Sequence, residues 1–366
     1  MQIQALNPAQ LQALIESSDF DQLSVVPISR HRAYSHIANP RAEADDVVML
    51  MAMEGDEMLG YLGVLPDWVY LNGKASKGGW LSCMWVNPKT RGQGIGGKLV
   101  NAALEHWNKR ILVTEFTPAA KRLYDRTEQF VDLTKPVGVR AFLRFNSHEV
   151  LPRKHDIFQK TKGLLQVADS ALNIGQNALL QFWKPEVSVD WHYVESVDAE
   201  IDAFIHARQA QQVFRRTLRE LNWMLRHPWV ISGDDPDNLA ERYHFSAIDQ
   251  RFEFKAIRME QNGQLAGFMI LAIRNQHLKL PYCYLAAGME EEALKLIFRH
   301  MKQERINMLS LFHPALSLAL QQRDRYPFIH IRPLQRHYII SKVFEQDLGR
   351  QKKVDIQDGD ADAAFT

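Results

Sequence analysis

The sequence has few cysteines and almost no net charge. Only Cys83 and Cys283 occur among 366 residues, and 44 Lys and Arg residues stand against 43 Asp and Glu residues, for a formal charge of +1. Both cysteines lie in apolar, strand-like segments, so we expect buried free thiols in a reducing cytoplasm and neither a disulfide nor a metal site. A nearly neutral chain gives no electrostatic reason to expect a nucleic acid or an anionic membrane as a partner.

Long apolar runs are also missing. No run approaches the roughly 20 apolar residues that a membrane-spanning helix needs, and the first residues lack the basic and apolar pattern of a secretory signal. With 46% hydrophobic residues, the chain can nevertheless bury the cores of two domains of common size. We therefore expect a cytoplasmic globular protein without membrane contact.

A glycine-rich loop lies between a strand and a helix in the first third of the chain. The apolar run Trp80–Val86 has the composition of a strand, and apolar residues recur at helical spacing from Leu99 to Trp107. Glycines let a backbone turn sharply and approach a ligand, while the free N–H groups and positive dipole end of a helix start attract an anion. We therefore expect a phosphate group at the loop, which consists of Arg91, Gly92, Gln93, Gly94, Ile95, Gly96 and Gly97.

Two other interpretations of this loop stay open from the residues alone. Gly92–Gly97 also satisfies the dinucleotide pattern G-x-G-x-x-G, and Glu115 ends the next strand-like run about where a ribose-binding acid is expected. Several residues separate the strand from the first glycine, however, and Asn72-Gly73 predicts an antiparallel hairpin upstream, which disfavours parallel nucleotide-binding units. A turn without a ligand is the third possibility, and four glycines at one helix start make it costly in conformational entropy.

The loop resembles the acyl-coenzyme A loop of the GCN5-related N-acetyltransferases (GNAT). The family pattern is Arg or Gln, two residues, Gly, one residue, and Gly or Ala, and Arg91–Gly96 satisfies each fixed position. The resemblance implies the acyl-CoA N-acyltransferase fold, a mixed α/β sheet, with acetyl-CoA as the acyl donor. It also implies that the backbone amides of residues 91–97 hold the pyrophosphate and that the backbone of Val86 pairs with the pantetheine arm.

The helix expected after Pro118 carries the second part of the resemblance. The run Ala119–Tyr124 parallels a family pattern that implies Tyr124 as the acid that protonates the departing thiolate. Such a donor is needed because amine attack on a thioester expels a sulfur anion. The chain departs from the pattern in two places, since Thr117 replaces the usual Asn and Phe130 stands one place later than the Phe of the usual Gly-Phe. A tyrosine packed in the core is the alternative for this position.

Candidates for the general base and for acceptor contacts are less specific. Glu115 is the carboxylate best placed to act as the general base, and Asp67 is the second candidate. For each of them, a solvated carboxylate at a strand end is the alternative. The polar segment from Ser29 to Asp46 contains His31 and His36, and in the resembling family this region often forms part of the acceptor site. We expect solvated surface histidines here, with substrate binding as the alternative.

The second half repeats the order of the first half without its loop. Met259–Phe268 mirrors Met53–Tyr61, each a hairpin that ends in Gly and an aromatic residue. Ala287–Glu291 has one glycine with acidic or apolar neighbours, and acidic residues repel a pyrophosphate. We therefore predict two GNAT-like domains in tandem, with coenzyme bound only by the first. The expected boundaries are an acetyl-CoA-binding domain at 1–150, a helical connecting region at 151–230, a degenerate domain at 231–348 and a flexible acidic tail at 349–366.

The sequence thus predicts an acyl-CoA-dependent N-acyltransferase. We expect transfer of acetyl from acetyl-CoA to a primary amine of a small molecule, such as an amino sugar, by direct attack. One alternative is an aminoacyl-tRNA-dependent transferase that pairs two such domains, although a nearly neutral chain offers no evident basic surface for tRNA. The other is a non-catalytic module that binds or senses acyl-CoA.

Overall fold

A computed structural model describes residues 1–152, 157–235, 238–323, 326–349 and 354–365 of the chain. The elements up to residue 142 are β1 Gln2–Leu6, α1 Pro8–Glu16, α2 Ser18–Gln22, α3 Arg30–Ile37, β2 Met49–Glu54, β3 Glu57–Leu71, β4 Lys74–Val86, α4 Ile95–His106, β5 Ile111–Thr114, α5 Pro118–Arg126, β6 Phe130–Thr134 and β7 Val137–Phe142. A short 3-10 turn, Pro88–Thr90, precedes α4.

The later elements begin with a long helical stretch. They are α6 Ser147–Val150, α7 Ile157–Lys160, α8 Lys162–Phe182, β8 Asp190–Val194, α9 Ala199–His206, α10 Leu218–Arg226, β9 Ile231–Ser232, α11 Leu239–Arg242, β10 Ile248–Asp249, β11 Phe252–Gln261, β12 Gln264–Arg274, β13 His277–Leu285, α12 Glu290–Gln303, β14 Met308–Leu311, α13 Pro314–Gln322, β15 His330–Gln335, β16 Tyr338–Ser341 and α14 Lys342–Leu348. Another 3-10 turn, Ala363–Phe365, lies near the end of the chain. The predicted mixed α/β fold is confirmed.

The chain divides into two compact units. Unit 1 comprises Met1–Pro136, Glu195–Glu253 and Arg336–Thr366, and unit 2 comprises Val137–Val194 and Phe254–Gln335. These boundaries differ from the contiguous domains expected at 1–150, 151–230 and 231–348, because the chain passes between the units more than once. Within the helical region expected at 151–230, α8, α9 and α10 are helices, but β8 is a strand.

The sheet of unit 1 has seven strands in the order β1-β2-β3-β4-β5-β16-β6. All neighbours are antiparallel except β4 and β5, which are parallel. The apolar face of α4 covers the sheet, since Leu99, Val100 and Ala103 are fully buried in the same core cluster as residues of β2 to β5. These residues therefore form the side of α4 that faces the core, as their helical spacing in the sequence indicates.

The sheet of unit 2 has the order β8-β11-β12-β13-β14-β7-β15. Its arrangement matches that of unit 1 strand for strand, including one parallel pair, β13 and β14, at the equivalent place. In each sheet the sixth strand comes from the other half of the sequence: β16 joins unit 1 and β7 joins unit 2. The strand β7, which lies within the domain expected at 1–150, thus pairs with β14 and β15 in the sheet of unit 2, because alternating apolar residues specify a strand without specifying its partner.

The C-terminal segment, defined here as residues 354–365, is buried against unit 1. The sequence predicted a flexible acidic tail from residue 349, of which residues 350–353 and 366 lie outside the described part of the chain. Asp358, Asp360 and Phe365 are buried, and the two carboxylates form ion pairs with Arg336 and Arg216, respectively. The prediction fails because acidic residues can be buried where the fold supplies arginines to pair with them.

Helices suited to crossing a lipid bilayer were sought among the residues that the structure describes. None of those helices combines the necessary length with the necessary apolar character.

Candidate functional site

The strands β4 and β5 separate near the middle of β4. Their pairing consists of Gly79 with Ile111 and Trp80 with Leu112, whereas β4 continues to Val86. The register between β3 and β4 shifts just beyond this point, and Cys83 has a left-handed backbone with φ of +52°. A bulge of this kind bends a strand and redirects its edge. The segment from Ser82 to Val86 therefore turns away from β5 and leaves a cleft between the two strands.

The glycine-rich loop lies where this cleft meets the start of α4. Residues 91–94 are exposed, whereas Ile95, the first residue of the helix, is 3% exposed and belongs to the core under the sheet. Gly94 is the N-cap and has a φ of +78°, a conformation that glycine adopts without strain. A Cβ atom added at Gly92 or Gly94 would meet no atom within 4 Å. The loop therefore offers open space beside the first N–H groups of α4, as an anion requires.

The other predicted loop residues are distributed around this point. Val86 ends β4 at the side of the cleft, and Arg91 is exposed at the end of the 3-10 turn. Gly96 lies close to α5, since a Cβ atom there would come within 3.2 Å of the Leu123 side chain. The glycine at this position thus allows α4 and α5 to approach one another, while Gly97 has more room and Gln93 is exposed.

Tyr124 is buried on α5 among aromatic side chains. It is 3% exposed and lies between Phe116 and Phe130, with ring centroids 6.0 and 5.5 Å away. Thr117, which departs from the family pattern, caps this helix by accepting a hydrogen bond from the N–H of Ala120 at 3.2 Å. Burial, together with the negative charge of Asp362, raises the pKa of Tyr124. The phenol therefore keeps its proton at neutral pH and remains available as a donor.

The two predicted candidates for the base lie in different surroundings. Glu115 follows β5 with a φ of +51° and pairs with Arg336 at 2.9 Å. Asp67 is buried and accepts bonds from two arginines and from the indole N–H of Trp80 at 3.0 Å. Burial opposes the charged form of Asp67, but Arg216 and Arg41 outweigh it and lower its pKa to about 2. We therefore assign Asp67 to a buried ion network and leave Glu115 as a candidate.

The two histidines of the polar segment are not on the surface. His36 is fully buried and stacks on Trp229 with ring centroids 5.1 Å apart, and burial, with the charge of Arg32 adding to it, lowers its pKa well below the usual value. His31 is partly buried and lies 2.7 Å from the carbonyl oxygen of Trp229. The expectation of solvated histidines is wrong, because α3 places this segment in the core.

A chain of polar contacts lies at the point where β4 and β5 separate, and no local motif in the sequence indicates it. Arg32, on α3, donates hydrogen bonds to Ser82 Oγ at 2.6 Å and to the Tyr243 hydroxyl at 3.0 Å. Ser82 Oγ in turn donates to a carboxylate oxygen of Asp362 at 2.5 Å. These residues are separated by 50 to 280 positions in the chain, so no local motif joins them.

Comparison with known proteins matches part of the chain to a family model and nearly the whole chain to solved structures of similar fold. Residues 11–128 match the model of the Acetyltransferase (GNAT) family. A GCN5-related N-acetyltransferase from Anabaena variabilis superposes with a TM-score of 0.52 at 11% identity, over 93% of this chain and 72% of that one. A probable N-acyltransferase from Enterococcus faecalis gives 0.51 at 10% identity with the same coverage. A proposed acetyltransferase from Pyrococcus horikoshii gives 0.51 at 14% identity, over 100% of this chain and 95% of that one. No curated protein matches the sequence.

Proposed function

We propose that unit 1 is an acyl-CoA-dependent N-acyltransferase, because residues 11–128 match the model of the Acetyltransferase (GNAT) family. We propose acetyl-CoA as the acyl donor and a primary amine of a small molecule, such as an amino sugar, as the acceptor. The observation that carries this proposal is the position of the exposed glycine-rich loop at one end of the cleft between β4 and β5. The same unit thus has room for a phosphate group and for an extended arm.

The fit of acetyl-CoA to unit 1 depends mainly on main-chain groups. The space beside Gly92 and Gly94 would take the pyrophosphate, with the first N–H groups of α4 directed at it. The backbone from Ser82 to Val86, which turns away from β5, would pair with the pantetheine arm as a neighbouring strand does. The thioester would then lie deep in the cleft, towards Tyr124.

The chemistry assigned to Tyr124 follows from its protonation state. When the acceptor amine attacks the thioester carbonyl and the carbon–sulfur bond breaks, negative charge collects on sulfur. A buried phenol with a raised pKa holds its proton until that charge develops and can then transfer it to the thiolate. Water is largely excluded around Tyr124, so the hydrogen bond to sulfur is stronger there than in solution.

A thiol-release assay with acetyl-CoA and a panel of amines tests the proposal. We expect release with at least one small primary amine and no release from the Gly94→Val variant at the same coenzyme concentration. Calorimetry with coenzyme A should detect one binding site per chain. Weaker binding by the Gly94→Val variant would assign that site to the loop. Tight coenzyme binding without turnover on any amine would instead favour the binding or sensor module. Absence of coenzyme binding would contradict both.

A further inference from the structure

Asp362 occupies an unusual position in the C-terminal segment. The residues around it are buried, with Asp360, Ala361, Ala363 and Phe365 each no more than 2% exposed. Asp362 itself is only partly buried. Its carboxylate also accepts a hydrogen bond from Ser82 Oγ, two residues beyond the last pair between β4 and β5. A carboxylate therefore reaches the cleft at the point where the two strands separate.

The segment that carries Asp362 is held firmly on both sides. Before it, Asp360 accepts two hydrogen bonds from Arg216 at 2.9 and 3.1 Å. After it, Phe365 stacks on Trp229 with ring centroids 4.4 Å apart and planes within 10°. Two anchors flank Asp362 within three residues, which limits the positions its side chain can take. Fixed placement of this kind is what a group that handles protons needs.

The charges around Asp362 suit a proton acceptor. Burial is the main cause that raises the pKa of Asp362, and the charge of Glu115 raises it further. The hydrogen bond from Ser82 and the charge of Arg32 act in the opposite direction. Cys83 and Tyr124 are the other titratable groups that sense its charge, and both have raised pKa values and remain neutral. A carboxylate whose pKa is raised in this way accepts a proton better than an exposed one.

We propose that Asp362 is the general base that takes a proton from the acceptor amine in unit 1. This assignment rests on the acyltransferase function proposed above. The protonated acceptor gives one proton to the Asp362 carboxylate, and its nitrogen then forms a bond to the thioester carbon. The carbon–sulfur bond breaks, and the thiolate takes the proton of Tyr124. The surplus proton of the new amide nitrogen returns to the Tyr124 phenolate, and Asp362 releases its own proton to solvent.

The test compares two acceptors that differ in their need for a base. The first is the best amine of the panel, which is protonated at neutral pH, and the second is hydroxylamine, which is uncharged there. Thiol release above the enzyme-free rate is measured from pH 5 to 9 for the wild type and for Asp362→Asn, Asp362→Glu and Asp56→Asn. The last variant is the control, since it makes the same change at an exposed carboxylate in the turn between β2 and β3. Calorimetry with coenzyme A checks that each variant keeps its donor site.

The base assignment predicts a selective loss. Asp362→Asn should reduce kcat/KM for the amine by about 10² to 10⁴-fold and abolish the acidic limb of its pH profile. Turnover with hydroxylamine should fall less than about tenfold, and Asp362→Glu should recover part of the amine activity. Asp56→Asn should keep the acidic limb. Equal losses with both acceptors, or an unchanged rate with the amine, would overturn the role of Asp362 and leave the proposed function intact. A wild type that releases no thiol with either acceptor would overturn the proposed function and the base together.

Discussion

The replacement Arg216→Met should strongly destabilise unit 1. Arg216 is 2% exposed, and its guanidinium bridges two buried carboxylates, Asp67 at 2.9 and 3.0 Å and Asp360 at 2.9 and 3.1 Å. Methionine has a similar length but no charge. Asp67 would retain Arg41 as a partner, whereas Asp360, fully buried, would lose the arginine that compensates its charge.

The size of the loss follows from the charge left behind. Removing one partner of a buried ion pair costs about 3 to 5 kcal/mol. Asp360 is already poorly compensated, since burial and the neighbouring Asp67 outweigh Arg216 and raise its pKa from 3.8 to about 6. An increase of about 2 in pKa corresponds to about 3 kcal/mol. Asp67, with two arginines, has its pKa lowered instead, so Asp360 is the weak member of the network.

The raised pKa of Asp360 also predicts how the loss of stability in Arg216→Met changes with pH. Because the pKa of Asp360 is higher in the folded state, the folded state binds the proton more tightly than the unfolded state does. The resulting stabilisation is complete below about pH 4 and is lost as the pH rises through about 6. Arg216→Met raises that pKa further. Its deficit in the free energy of unfolding should therefore be largest at pH 7.5 and smaller at pH 5.

Urea unfolding at these two pH values measures the effect. The double variant Arg216→Met/Asp360→Asn removes the uncompensated charge and should recover a large part of the stability at pH 7.5. A deficit below about 1 kcal/mol, an equal deficit at both pH values, or no recovery in the double variant would refute the reasoning that the C-terminal segment is anchored by this pair.

Three further predictions concern the loop, the acid and the end of the chain. Gly94→Val should weaken coenzyme A binding at least tenfold in calorimetry, whereas Gly55→Val, at a positive φ in an exposed turn, should leave affinity unchanged; equal affinities would contradict the loop assignment. Tyr124→Phe should lower kcat by about 10² to 10⁴-fold at constant coenzyme affinity, and unchanged kcat with chemistry rate-limiting would remove Tyr124 from the mechanism. Phe365→Ala should shift the tryptophan emission to longer wavelength by exposing Trp229, and an unchanged spectrum would contradict the stacking.

The glycine-rich loop and the helix with Tyr124 could be predicted from the sequence because their signals are local. Glycines, a strand before them and apolar residues at helical spacing after them determine where α4 begins. Tyr124 follows Pro118, which starts α5 at its favoured position. Both features therefore depend on neighbours within a few residues, and the sequence supplies those directly.

The exchanged strands and the buried C-terminal segment could not be predicted because they depend on distant residues. The pattern of Val137–Phe142 describes a strand, but its pairing with β14 and β15 is decided about 170 to 200 residues later. Likewise, the acidic residues of the last segment are typical of a solvated tail until Arg216 and Arg336 are known to lie beside them. The contact between Ser82 and Asp362 joins residues 280 positions apart and could not be predicted for the same reason.

The exchange of the sixth strands also determines when unit 1 can complete its fold during synthesis. The strand β6 lies at the edge of the sheet beside β16, which leaves the ribosome about 200 residues later. At about 5 to 20 residues per second, this interval lasts roughly 10 to 40 seconds. Throughout it, β5 presents an open edge to which other nascent chains can pair. The N-terminal half must therefore wait for the C-terminal half, and a fragment ending at residue 150 would lack the strand that joins β5 to β6.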